Sequence, residues 1–439
     1  MLIYLVILFV LACLGALLVI PAVRILENRP ILLLWVLVLI FVASSLFDSG
    51  LLPAVNLGGI SINAIDVVAL ILLCLAFPFV FFRLRDGFGR KDVVLLVLLL
   101  WSSALGLNYI FGVREFGLQA ATNEFRGYFY IICTATYVAS LNIARVWMNI
   151  EKLFLFGVSC LSVIAIIGFW DSDFSRGGGR PIDAAHTLFI FQVLLIAIFI
   201  HSRGDLHPYS IPFLVALFPL LIVLQHRSVW VVMIISFALV LWHLPSFRSA
   251  LIKWGVIGTV VSGGLCWVVF GTTILEALAD SYEEAVSSSL DSSAGGSSST
   301  FSWRVQGWIG LLTGEQMDSV RKVLIGNPFG TGYHRITLTS DGVAVARTES
   351  PHNFYVQTLL RGGALGLLAL IALYGILFRG LLQHAKKDEA AHPILLCMAV
   401  IVASQLVYYL VYGSDYIQAI FLGSAIALLR DSDTVNANI

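Results

Sequence analysis

Charged side chains are scarce in this sequence: Asp, Glu, Lys and Arg make up 12% of 439 residues, about half the roughly 25% of a soluble globular chain. With 59% hydrophobic residues and a mean hydropathy of +0.94, too little polar surface is left to face water, which excludes a cytosolic enzyme. Net charge is absent as well, because 26 basic residues balance 26 acidic ones. No block of Lys and Arg marks a nucleic-acid tract, so no nucleic-acid partner is expected. Cysteine motifs are missing too. Cys13, Cys74, Cys133, Cys160, Cys266 and Cys397 each lie inside an apolar run with no CxxC spacing, which argues against a disulfide framework or a thiolate metal site. They read as small buried hydrophobes.

What the sequence has instead is long apolar runs. A helix crosses the bilayer hydrocarbon in about 20 residues, and thirteen runs nearly free of charge fit that pattern. They are Leu2 to Ile20, Ile31 to Phe47, Ile60 to Phe82, Val93 to Leu107, Phe125 to Leu141, Leu153 to Trp170, Ala184 to Ile200, Tyr209 to Leu224, Val229 to His243, Leu251 to Gly271, Asn353 to Phe378, Ile394 to Tyr412 and Tyr416 to Leu429. The run at Val93 is barely long enough, and the pair flanking Gln225 to Ser228 reads equally as one broken element, so the expected fold is an all-α polytopic membrane protein of about 12–13 transmembrane helices. The first run has no basic n-region and no small-residue cleavage site, and it reads as a retained helix.

Basic residues set the orientation, because they are retained on the cytoplasmic side. Fifteen of the 26 fall in one set of alternate loops, among them Arg83, Arg90, Lys152, Arg248 and Lys386. That set is cytoplasmic, which leaves the long segment from Thr272 to Pro351 outside. Three regions follow: 1–271 as a transmembrane bundle, 272–351 as a large external loop, and 352–439 as the last transmembrane helices. The loop opens on Glu276, Asp280, Glu283 and Glu284, and Ser287 to Ser302 reads as a flexible linker. Trp303 to Ile325 then carries Val305, Trp308, Ile309 and Leu312 at helical spacing, as expected of an amphipathic helix on the membrane face, and the turn residues of "GNPFGTGYH" end it.

The polar groups at external span ends are the candidate functional residues. Arg176 and Arg180 flank three glycines in "SRGGGRP". Open backbone N–H groups beside two guanidinium forks suit phosphate oxygens, although a plain flexible turn would also account for the pattern. Arg227 lies in "LQHRSVW" with His226 and Ser228, in a break between apolar runs; its bland alternative is a snorkelling side chain. Arg304 stands between Trp303 and Trp308, and interfacial tryptophans alone could explain that helix.

His352 in "ESPHNFYVQTLLRGGALG" is the sharpest signal. Ser350 is the expected cap and Pro351 suits a first turn, which puts His352 at the mouth of a helix, in one stripe with Leu359, Gly363 and Gly366. Asn353, Gln357 and Arg361 accompany it. Arg361 lies about 13.5 Å further along the axis, on the opposite side, and is expected to pair within the bundle. Asp66, Glu124 with Arg126, Asp183 and Asp415 sit near span ends and receive no chemistry. Metal chemistry finds little support, since HExxH is absent and no DxD or other acidic pair at ligand spacing stands beside His352.

This order of features resembles the O-antigen ligase and O-antigen polymerase superfamily of bacterial envelope glycosyltransferases. The order is an Arg in a Gly-rich turn, an Arg-Ser pair between short helices, Arg-x3-Trp, N-P-x-G-x-G and "PHNFYVQTLLRGGALGLL", across Arg176 to Leu368. The resemblance implies a GT-C-like helical fold in the inner membrane and metal-independent transfer of a glycan from undecaprenyl diphosphate, at the periplasmic face, to an acceptor glycan or lipid A core. It also implies a catalytic role for His352 and diphosphate contacts from Arg180, Arg227 and Arg304, with Arg176, Asn353, Gln357 and Arg361 as supporting candidates and no cofactor. "HRSVW" departs from the Ser-Arg-Gly form of ligases, which tilts the expectation slightly to polymerase. A transporter of a lipid-linked or anionic substrate is the alternative from another class, and an assembly scaffold would leave these residues without a task.

Overall fold

The computed structural model describes residues 29–46, 54–57, 60–86, 92–171, 181–201, 226–243, 300–338, 344–348, 350–386 and 392–435, with isolated positions between 217 and 264. The expected spans Leu2 to Ile20, most of Tyr209 to Leu224 and most of Leu251 to Gly271 lie outside them, as do the acidic stretch, most of the Ser-rich linker, Arg176 and Arg180. The chain is a helical membrane protein by composition and architecture. Among the described residues, four helices are long and apolar enough to cross a bilayer: Ala64–Asp86, Val93–Phe116, Val146–Gly168 within a longer helix, and Phe354–Ala385. Four more apolar helices are shorter, 10–17 residues in their apolar parts.

In chain order the helices among the described residues are α1 (Leu32–Ser44), α2 (Ala64–Asp86), α3 (Val93–Phe116), α4 (Leu118–Ser140), α5 (Ile143–Asp171), α6 (Ala184–His201), α7 (Arg227–His243), α8 (Thr300–Thr313), α9 (Val320–Ile325), α10 (Phe354–Ala385), α11 (His392–Tyr408) and α12 (Tyr416–Val435). Two hairpins, β1 (Ala54–Leu57) with β2 (Ile60–Asn63) and β3 (Arg335–Leu338) with β4 (Ala344–Arg347), are the departures from an all-α chain among the described residues. The first of them corrects the span expected from Ile60. Its first four residues pair as a strand, and α2 begins only at Ala64. Asp66 fixes that start by accepting the Asn63 N–H at 2.7 Å.

Several helices run beyond their apolar segments. The run at Val93 becomes a helix of 24 residues, about 36 Å long at 1.5 Å per residue, because Asn108, Arg114 and Glu115 continue it past the apolar part. In a bundle whose helices meet lipid on one side and each other on the other, packing rests on small residues and on interhelical hydrogen bonds. Gly423 of α12 illustrates the first: a Cβ there would sit 2.6 Å from the Ala135 carbonyl oxygen of α4. Gln192 of α6 and Gln418 of α12 illustrate the second, exchanging amide hydrogen bonds of 2.8 and 3.0 Å while Gln405 of α11 donates to the Gln418 carbonyl at 2.8 Å.

The two ends of the bundle differ. At one, Arg430 donates to the Ala139 and Leu141 carbonyls that end α4 (2.5 and 2.8 Å), and Arg83 pairs with Asp92 at 3.0 Å. At the other, the C-terminus of α3, the N-termini of α4, α10 and α12, and the α8–α9 segment converge, joined by the contacts described next.

Candidate functional site

The segment from Thr300 to Ile325 is not one surface helix. Gly314, in extended backbone, and a single 3-10 turn at Glu315–Met317 divide it into α8 and α9, and α8 already begins inside the expected linker, at Thr300. Its apolar face meets protein: Leu311 is fully buried in a cluster with Tyr333, Val356 and Leu360, the last two on α10. Ile309 stays 55% exposed. Trp308 donates from Nε1 to the Pro351 carbonyl at 2.6 Å, fastening α8 to the residue before His352.

His352 precedes α10 rather than belonging to it, which corrects two expectations. The cap is Asn353, whose Oδ1 accepts the Val356 N–H at 3.0 Å; Ser350 instead accepts from Gln357 Nε2 at 2.5 Å. His352 has φ 48°, in the left-handed region, so the chain turns sharply before the helix starts and the imidazole is exposed. The expected stripe from His352 to Gly366 does not exist, because His352 is outside the helix and Gly363, at φ 63° and ψ −169°, breaks α10 internally.

A turn between α11 and α12 joins His352 to Arg304. The Asn353 Nδ2 donates to the Leu410 carbonyl at 2.9 Å, and the Phe354 N–H to those of Tyr409 and Tyr412 at 3.0 and 3.2 Å. One residue along, the Val411 carbonyl accepts a 3.5 Å bond from Arg304 Nη1, whose guanidinium lies 5.4 Å from the Tyr412 ring centroid. Arg304 Nε is buried with no hydrogen-bond partner among the described residues. Among the described residues the fork thus holds one long hydrogen bond. Asp415, just beyond, accepts the Gln418 N–H at 2.8 Å, and desolvation pushes its carboxyl up to about 6.

Arg361 is more fully engaged through its Nη atoms, although its Nε is likewise buried with no hydrogen-bond partner among the described residues. It is fully buried, pairs with Glu124 of α4 and donates to the Gly332 and Pro328 carbonyls at 2.6 and 3.3 Å. The Tyr333 ring lies 4.6 Å from its guanidinium carbon, and burial pushes the Tyr333 phenol up to about 12, so that ring is neutral. Sequence proximity had joined Glu124 to Arg126; in the structure Arg126 pairs with Asp66 at 3.3 Å.

Asn327 and Asn108 complete this cluster. The Gly363 break frees the Leu360 and Arg361 carbonyls from helical bonding. The Asn327 N–H reaches the first at 2.7 Å and Asn108 Nδ2 the second at 2.8 Å. Glu124 also accepts the Gly330 N–H at 2.6 Å, so the whole "NPFGTGY" turn is keyed between α3, α4 and α10. Glu124 is named from sequence only beside Arg126 and without chemistry, and Asn108 and Tyr412 are not singled out there. The usable signal was that a buried arginine requires a carboxylate.

Arg227 is the first residue of α7 and is exposed. Its neighbour His226 is buried, with Nε2 donating to the Ile182 carbonyl at 2.9 Å, so the break ties α7 to the residues that follow Arg180. The helix packs on α11, which leads into the Tyr409–Tyr412 turn. Among the described residues, no three His, Cys, Asp or Glu side chains cluster closely enough to hold a metal ion. No protein-family model matches the chain, and no curated protein matches it.

Proposed function

We propose that the protein is an inverting, metal-independent glycosyltransferase of the O-antigen ligase/polymerase type, GT-C-like, with about 12–13 spans in the bacterial inner membrane and its site facing the periplasm. It would transfer a glycan from undecaprenyl diphosphate to an acceptor sugar hydroxyl. The observation that carries the reading is the single turn, Leu410 to Tyr412, that holds both the capping residue beside His352 and the under-committed fork of Arg304.

The chemistry asks for those two parts together. A lipid diphosphate leaves readily once its developing charge is stabilised, and fixed guanidinium groups supply that stabilisation. Arg304 and Arg227 clamp the diphosphate and Arg180 positions it. His352 takes the proton of the attacking hydroxyl as the new glycosidic C–O bond forms and the bond to the diphosphate oxygen breaks. A single displacement inverts the anomeric carbon.

Products of the purified protein supplied with undecaprenyl-diphosphate oligosaccharide alone, resolved on a gel, test this. A ladder of longer lipid-linked glycans is expected if the acceptor is a second repeat unit. A conjugate formed only after lipid A core is added identifies a ligase, and no product in either case contradicts transfer and moves a carrier forward.

A further inference from the structure

The segment from Asn353 to Gly362 is a short helical rod with a hinge at its base. Gly363 breaks the helix there, and the Leu360 and Arg361 carbonyls, which an unbroken helix would use, are held by Asn327 and Asn108. Contact at the break is backbone to backbone: a Cβ on Gly326 would lie 2.6 Å from the Gly363 nitrogen. Arg361 is the one charged side chain of this rod. Its partners lie on α4 (Glu124) and in the turn (Pro328, Gly332). The same turn holds the 3-10 turn between α8 and α9, because Gln316 Nε2 donates to the Gly332 carbonyl at 3.1 Å and Asn327 Nδ2 to that of Gln316 at 2.8 Å.

We propose that Arg361 and Glu124 form a positioning clasp that fixes the hinged start of α10 and the α8–α9 turn against α4, and thereby sets His352 against Arg304. The proposal rests on the function proposed above for its catalytic consequence, but not for its structural one. Arg361 touches no reacting atom. It is nine residues from His352, and its Nη donors are directed to Glu124 and to two carbonyls of the turn. Its effect is transmitted by the rod: with the base clasped and the top tied to Leu410, the rod has one orientation, and releasing the base lets it swing about Gly363.

Spin labels test the clasp without any activity. In a cysteine-free background, one pair of labels is placed at His352→Cys and Met148→Cys, and a second at Leu365→Cys and Met148→Cys; Met148 and Leu365 are 63% and 58% exposed, and Leu365 lies beyond the hinge. With Arg361→Gln, and with the milder Glu124→Gln, the first pair is expected to show a distance distribution at least twofold wider while the second keeps its width. Arg361→Lys, which keeps the charge without the fork, is expected to be intermediate. A first pair that stays narrow in both Gln variants overturns the proposal, and so does equal broadening of both pairs, which would mean general loosening. With His352 intact, the Gln variants are expected to lower kcat for glycan transfer at least tenfold with KM within about twofold, since misplacement by about 1 Å costs up to 100-fold. If the first pair alone broadens and the unmutated protein transfers no glycan, the clasp stands and the proposed function fails.

Discussion

Arg361 and Glu124, 237 residues apart in the chain, form an ion pair in which the arginine is fully buried and the carboxylate nearly so. Removing one partner of such a pair leaves an uncompensated buried charge, at about 3–5 kcal/mol. Glu124→Ala is therefore expected to lower the thermal unfolding midpoint strongly, whereas the double change Glu124→Gln with Arg361→Met, which leaves no charge behind, recovers much of that loss. Melting the variants in one detergent checks it, and a double variant as unstable as Glu124→Ala would refute the pairing energetics.

Gly363 is expected to tolerate no side chain. At φ 63° an L residue is strained by about 1–3 kcal/mol, and an added Cβ would run into the Leu324 carbonyl. Gly375, in the regular part of α10 with nothing within 4 Å of an added Cβ, is the control. Gly363→Ala should unfold earlier or fail to accumulate in membranes, and Gly375→Ala should match or slightly exceed the original protein.

How legible this site was in the sequence follows from the same residues. Apolar runs located most described helices because their period and length need only local information, yet they could not say that Ile60 to Asn63 would pair as a strand or that α8 and α9 would part at Gly314. The importance of "NPFGTGYH" and of the stretch after His352 was visible as pattern. Which carbonyls Asn327 would reach was not, since that depends on where α10 breaks, and Gly363 looks like any other small residue in a helix. Arg361 stands out as a charge in an apolar helix; its partner does not, because nearness in sequence joins Glu124 to Arg126 whereas tertiary packing sets Glu124 against Arg361 and Arg126 against Asp66.

Asn353 links cap and site. Asn353→Ala loses the cap, at about 1 kcal/mol, together with the bond to the Leu410 carbonyl. Asn353→Asp keeps the cap, because a carboxylate accepts the Val356 N–H, but offers no donor to Leu410. The Asp variant is expected to melt near the original protein and still to lose transfer activity several-fold, which a melting curve beside a rate assay reads directly. Equal activity would remove the Leu410 tie from the account.

Asp415 introduces a pH dependence. Desolvation lifts its carboxyl to about 6, above the roughly 3.9 of an unfolded Asp. Stability from the protonated form is therefore fully present below about pH 4 and is lost as pH rises through about 6. Asp415→Asn, neutral throughout and able to cap α12, is expected to gain stability relative to the original protein between pH 5 and pH 8. A difference in unfolding midpoint that does not change with pH contradicts this.

The most direct test of the proposed chemistry is the initial rate of glycan transfer from undecaprenyl-diphosphate oligosaccharide by the purified protein and by His352→Ala, both in excess EDTA. The account predicts an EDTA-resistant rate that falls about 10²- to 10⁴-fold in the variant, the usual worth of a positioned general base. Equal rates from the two proteins, or a rate abolished by the chelator alone, would contradict it.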